Sequence, residues 1–200
     1  MHKYLRYVFI AAMFLSVCQA HAGFSPAAVA LFAPVEFPPS DYSVTGLRVS
    51  ALLGKHRDVY GFDLAGLGNI TEQSFGGIAV AGLFNMTQGT TTILGLQLAG
   101  AANINTNKTR VFGLQATLGV NSNLAESMVA GLQLGLLGNY SPFIKVIGAQ
   151  IGVYNRANEV YGFQIGLVNV AESLHGIQIG LINFNHKGLF SVAPLINVGF

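Results

Sequence analysis

Three histidines beyond residue 22 offer general-base or metal-ligand chemistry: His56, His175 and His186. None has a second His or a Cys at ligand spacing. His175 follows Glu172 by three residues, and His186 adjoins Lys187. All three read as solvated residues in or beside turns. The densest charge run, Lys55-His56-Arg57-Asp58, offers a contact for lipid headgroups or a partner, or else a polar turn. Ser, His and Asp all occur, but no Gly-x-Ser-x-Gly elbow positions a nucleophile. No Gly-rich loop precedes a helical segment, so phosphate binding has no support. The expectation is a chain with no catalytic, cofactor-binding or metal residues, no cofactor and no enzyme activity.

Composition restricts the remaining classes. Of 200 residues, 52% are hydrophobic, 9% charged and 25 are Gly. Soluble domains carry roughly 25% charged residues. Disordered chains are polar and charge-rich. A formal charge of +2 without a basic cluster excludes a nucleic-acid partner.

Residues 1–22 read as a secretory signal peptide. His2, Lys3 and Arg6 precede an apolar run from Tyr7 to Cys18, and Ala20-His21-Ala22 is a small-x-small cleavage site. The run is shorter than the ~20 residues of a spanning helix. Val17, before the single Cys18, is too bulky for a lipoprotein signal. Cleavage after Ala22 removes the only cysteine, and with it disulfides and thiolate metal sites. It also removes Lys3 and Arg6, leaving eight basic against eight acidic residues.

The positioning elements are one strand written nine times. A unit of Gly, apolar, polar or small, apolar, small and further apolar residues starts at Gly46, Gly61, Gly77, Gly95, Gly113, Gly131, Gly148, Gly162 and Gly176. The clearest copies are GLQLAGAAN (95–103), GLQLGLLGN (131–139), GFQIGLVN (162–169) and GIQIGLIN (176–183). The apolar residues alternate, which is strand behaviour. One face carries pairs such as Phe62/Leu64, Leu132/Leu134 and Ile177/Ile179. The other carries Gly with Arg48, Asp63, Ala79, Gln97, Gln115, Gln133, Gln150, Gln164 and Gln178. Asn closes nearly every copy, from Asn69 to Asn183, and reads as a strand terminator. Asn-x-Ser/Thr at Asn69, Asn85, Asn107 and Asn139 reads as turn chemistry. The final copies place Asn seven residues after Gly rather than eight, with Ala81-Gly82 and Ala99-Gly100 as candidate bulges.

Two all-β architectures satisfy such a repeat. The first is an up-and-down antiparallel β-barrel of about ten strands, of outer-membrane type: nine repeats plus a closing strand at 190–200 that ends in Phe200. Little charge is then needed, because the apolar face meets lipid and Gly and Gln line the lumen. Ten residues at ~3.3 Å, tilted ~45°, span about 23 Å of apolar band. The terminal Phe resembles the assembly signal of such barrels. The alternative is a parallel β-solenoid with one repeat per coil. Missing Trp, turns that do not alternate in length and the identity of every strand favour the second. The barrel is the leading expectation. Residues 23–43 form an N-terminal lead-in and 44–200 the repeat domain.

The repeats, the opening from Gly46-Leu47-Arg48 to Val59-Tyr60-Gly61 and the ending Ala193-Pro194-Leu195-Ile196-Asn197-Val198-Gly199-Phe200 resemble a family of bacterial surface-repeat proteins. The resemblance covers about 44–200 and implies placement at the cell surface or outer membrane, without implying an activity. Arg48, Asp63 and Ala79 depart from the usual Gln. The functional expectation is an exported outer-membrane or surface β-repeat protein with a structural or narrow passive-channel role. Its expected partners are membrane lipid and the outer-membrane assembly machinery. The alternative is a surface-exposed β-solenoid adhesin or interaction scaffold.

Overall fold

The computed structural model describes residues 23–200; the expected signal peptide and Cys18 lie outside them. Strand accounts for nearly all of the regular structure, with no helix among the described residues. The elements in chain order are β1 (Phe24–Phe32), β2 (Val35–Phe37), β3 (Ser43–Ala65), β4 (Gly68–Ala81), β5 (Phe84–Thr87), β6 (Thr91–Ala99), β7 (Ala102–Asn105) and β8 (Thr109–Thr117). They continue as β9 (Val120–Asn123), β10 (Ser127–Gly135), β11 (Gly138–Tyr140), β12 (Ile144–Ile151), β13 (Tyr154–Ile165), β14 (Val168–Asn185) and β15 (Val192–Gly199).

These strands wind into a parallel β-solenoid of about nine turns, not an antiparallel barrel. Apart from a register slip between β4 and β6, each repeat lies on the equivalent residues of the next. Gly95 pairs with Gly113, Gly113 with Gly131, and Gly131 with Gly148. Gln164 faces Gln178 across the parallel β13–β14 pair, in register. A hairpin would instead have paired these strands antiparallel. Parallel in-register stacking explains why every strand is the same unit: the Gly and Gln of one coil meet the same residue types about 4.8 Å away in the next.

The sidedness expected of a barrel survives, with a different inside. Gln97, Gln115, Gln133, Gln150, Gln164 and Gln178 are fully buried, while Phe62, Leu94 and Phe163 face outward. No water-filled lumen is required, because the amides satisfy one another. Two residues before each leading Gly stands a buried apolar column through Val59, Phe75, Ile93, Val111, Val129, Val146, Val160 and Leu174. The core is thus one apolar column beside polar ladders.

The leading glycines mark the point where this geometry is hardest to build. Gly113, Gly131 and Gly148 have φ of 131°, 136° and 129° inside strands. L-residues avoid this region, and a Cβ on Gly131 would collide with the carbonyl oxygen of Gly113 in the preceding coil.

The change from eight to seven residues between Gly and Asn is absorbed at the next corner. β10 runs to Gly135, four residues past its Gly, whereas β12 stops at Ile151, three past. Asn139 and Asn155 still pair in register. Gly82 and Gly100 likewise sit at corners just after β4 and β6, so they are bends between strands and not bulges within them.

Both ends are covered. Residues 23–43 supply β1, which pairs in parallel with β3, and β2, which folds back antiparallel on β1. At the other end β15 pairs antiparallel with β14. Parallel stacking stops there, and the terminal coil edge is paired.

Candidate functional site

Two polar ladders run through the core. In the first, each Asn Nδ2 donates to the Asn Oδ1 of the following coil, from Asn69 through Asn85, Asn103, Asn121, Asn139, Asn155 and Asn169 to Asn183, at 2.8–3.0 Å. The second hydrogen of Nδ2 reaches a backbone carbonyl, as from Asn85 to Leu98 at 2.7 Å. Asn therefore works as an interior tie and not as a strand terminator. No described Asn has a left-handed backbone. Asn69, Asn85 and Asn139 are buried, and only Asn107 of the Asn-x-Ser/Thr positions is exposed.

The second ladder runs the opposite way. Gln178, Gln164, Gln150, Gln133 and Gln115 each donate Nε2 to the Gln Oε1 of the preceding coil at 2.7–2.8 Å, ending at Gln97. The ends match these directions: Asn69 Oδ1 and Gln178 Oε1 have no hydrogen-bond donor from the protein. In the wide coils the Gln also meets a buried Asn, as with Gln97 and Asn105 at 3.4 Å. In the narrow coils Ala157 and Ala171 are buried at that place, and Gln164 donates to Val170 O at 3.5 Å; in the last coil, where the place holds Asn185, Gln178 donates to Phe184 O at 3.0 Å.

Where Arg48, Asp63 and Ala79 replace Gln, the ladder gives way to an ion pair. Arg48 Nε and Nη2 donate to Asp63 Oδ1 and Oδ2 at 2.7 and 2.6 Å, with both residues buried. Arg48 Nη1 also donates to Ile70 O at 3.0 Å.

The histidines do not converge. His56 is buried, not solvated, because β2 and the chain after it cover the first coil; its Nε2 lies 3.2 Å from Pro38 O. Burial pushes its pKa down to about 4, with the nearby Arg48 charge acting in the same direction. Glu36 Oε2 is 3.8 Å from His56 Nδ1, and Glu36 is itself shifted up by burial. His175 is in β14, outward, stacked on Tyr161 with ring centroids 4.4 Å apart. His186 is the one in a turn. Among the described residues no three His, Cys, Asp or Glu side chains could hold a metal ion.

The depressed His56 pKa carries a pH dependence. A His titrating lower in the folded than in the unfolded chain loses stability as pH falls from about 6.5 to about 4, because only the unfolded chain takes up the proton. We expect melting measured between pH 7 and pH 4 to fall by about 2 kcal/mol more in the native chain than in His56→Gln. Parallel profiles for the two proteins would contradict the assignment to His56.

The surface is where the molecule is asymmetric. From Gly61 onward, the charged side chains outside the core are Glu72, Lys108, Arg110, Glu126, Lys145, Arg156, Glu159, Glu172 and Lys187. All but Lys187, which follows the last copy, lie between a ladder Asn and the third residue before the next leading Gly, that residue included. They form one polar edge, where Lys145 meets Glu159 at 3.4 Å and lies over the Tyr161 ring. From the residue before each Gly to the next ladder Asn, no outward side chain is charged. This stretch presents two apolar faces meeting at a corner. One holds Phe62, Leu94, Phe112, Ile147 and Phe163, the corner holds Leu67, Leu83, Leu136, Val153, Leu167 and Leu181, and the second face ends in Ile182. The apolar residues that the repeat displays are therefore left unpartnered on the outside.

No family model, curated protein or solved structure matches this chain.

Proposed function

We propose that this protein is an exported bacterial surface β-solenoid, an interaction scaffold that seats its apolar side on lipid and turns its charged edge to water. The observation that carries this reading is the segregation of charge. Exposed apolar patches beyond a few hundred Å² mark protein or membrane interaction sites. This one covers two faces and the corner between them. A rigid partner with one flat surface covers only one face, whereas a fluid apolar phase covers both. The core supports the same reading, because its backbone and amides are paired internally and expose few polar groups toward lipid. Export rests on the signal expected in residues 1–22, and surface placement on the resemblance of the repeats. Without a barrel, the channel role has no lumen to use.

The test is flotation of the chain lacking residues 1–22 with neutral phosphatidylcholine vesicles. Described residues carry eight basic and eight acidic side chains, so binding is expected without anionic lipid. It should change little between ~0.05 and ~0.5 M salt, since a Debye-screened attraction is not what holds it. A monomer that stays at the bottom of the gradient would overturn the reading.

A further inference from the structure

We infer that the corner of the last four coils is a binding trough for a single linear acyl chain. The inference rests on the lipid-surface reading and names the group that the surface takes most specifically. Gly135, Gly152, Gly166 and Gly180 stack as a floor. The flanking rails are Leu134, Ile151, Ile165 and Ile179 on one side and Leu136, Val153, Leu167 and Leu181 on the other, around a groove of about 710 Å³.

The floor must be glycine. A Cβ on Gly152 would collide with Gly135 O, and one on Gly166 with Gly152 O. The groove is therefore a fixed consequence of coil stacking. It ends where the stacking ends. Leu195 of β15 stands opposite Gly180, in the place where another floor glycine would follow. Leu195 has φ of 64°, the only left-handed non-glycine among the described residues, and with Ile196 it lines that end. Upstream, Ala116 stands at the rail position paired with Leu134 and Thr117 at the floor position paired with Gly135, so rail and floor both stop there.

The chemistry selects the occupant. Every lining residue is apolar. The floor's backbone groups are already used between coils: Gly152 N and Gly166 N donate to Ile165 O and Ile179 O at 3.0 Å, and Leu167 N donates to Val153 O at 2.9 Å. An extended peptide would bring N–H and C=O groups that find no partner here. A hydrocarbon chain brings none. Three coil spacings of ~4.8 Å separate Gly135 from Gly180, giving a trough of roughly 14 Å, comparable to the ~15 Å hydrocarbon depth of one leaflet.

The probe is cis-parinaric acid methyl ester, whose fluorescence rises in an apolar site and whose headgroup is uncharged. The native chain is expected to bind one molecule saturably. Leu167→Trp, which fills the trough from its rail, should weaken binding about tenfold or more. Leu167→Ser, which makes the rail polar, should act in the same direction. Leu94→Ser, on the apolar side but away from the trough, should bind the ester normally. Far-UV circular dichroism checks that each variant folds. Binding to many equivalent sites, undiminished affinity in both Leu167 variants, or a trough blocked by self-association of the native chain would overturn the inference. Vesicle flotation separates the two failures. If the native chain floats but takes up no ester, the trough falls and the lipid-surface reading stands. If it binds ester but does not float, the surface reading falls and the trough stands as an isolated site.

Discussion

Gly131→Ala is expected to abolish stable folding, while Gly95→Ala leaves a folded, weakened protein. Both glycines lead a copy and both have φ where L-residues are strained, 136° at Gly131 and 102° at Gly95. Backbone strain of this kind costs about 1–3 kcal/mol. The surroundings differ. At Gly131 the new methyl would collide with Gly113 O and approach its carbonyl carbon to 3.0 Å, and both are backbone. At Gly95 the nearest atoms are Ile78 Cδ1 and Cγ1 at 3.6 Å, an ordinary contact. The cause is local: pairing between β4 and β6 slips between Gly77 and Ala79, so Gly95 has no glycine directly beneath it. Gly131→Ala must push neighbouring coils apart, and in a solenoid each coil is held mainly by its neighbours. We expect Gly131→Ala to cost more than about 4 kcal/mol and Gly95→Ala about 1–2 kcal/mol. Thermal unfolding followed by circular dichroism compares them. Equal losses would show that φ strain alone, and not contact between coils, makes glycine necessary.

That comparison also shows what the sequence could and could not say. The repeat, the strand character and the assignment of Gln inward and Leu, Ile and Phe outward all follow from alternation within one copy. Strand direction does not, because Phe62 and Leu64 alternate identically whether the neighbouring strand runs parallel or antiparallel. Low charge favours a lipid-facing barrel only if a solenoid must bury the apolar face of its repeat and meet water with the other. The amide ladders remove that premise: the solenoid buries Asn and Gln beside one apolar column and exposes the aliphatic residues that flank each Gln. The Asn residues misled for a related reason. Turn preference is a property of one residue and its own backbone. The hydrogen bond from Asn121 to Asn139 exists only once a second coil lies 18 residues away. His56 read as a turn residue because the segment that buries it, residues 23–43, carries no repeat. The trough was partly legible, since the small position in GLQLG, GAQIG, GFQIG and GIQIG is its floor. Only stacking shows that these glycines line up.

Arg48→Met is expected to cost about 3–5 kcal/mol, the loss seen when one partner of a buried ion pair is removed. Asp63 would then be a fully buried carboxylate without its guanidinium. Thr71 Oγ1 and Ile70 O would also lose contacts with Arg48, at 3.5 and 3.0 Å. Replacing both residues, as Arg48→Met with Asp63→Leu, should recover most of that loss, because apolar neighbours of similar volume cost nothing to leave uncharged. The single variant has its own pH signature. Burial already pushes the Asp63 carboxyl up, and the Arg48 charge and hydrogen bonds pull it down. Without Arg48 only the upward push remains. A carboxyl with a folded pKa above its unfolded value of about 3.9 stabilises the fold at acid pH and loses that contribution as pH rises toward the folded pKa. Arg48→Met should therefore be least destabilised near pH 4 and most destabilised at pH 7, and the double variant should lack this slope. Denaturant titrations of the three proteins at the two pH values measure it. A single variant whose deficit does not grow with pH would show that Asp63 is not held as a carboxylate by Arg48. The first rungs of the Gln column would then be kept by packing and not by charge.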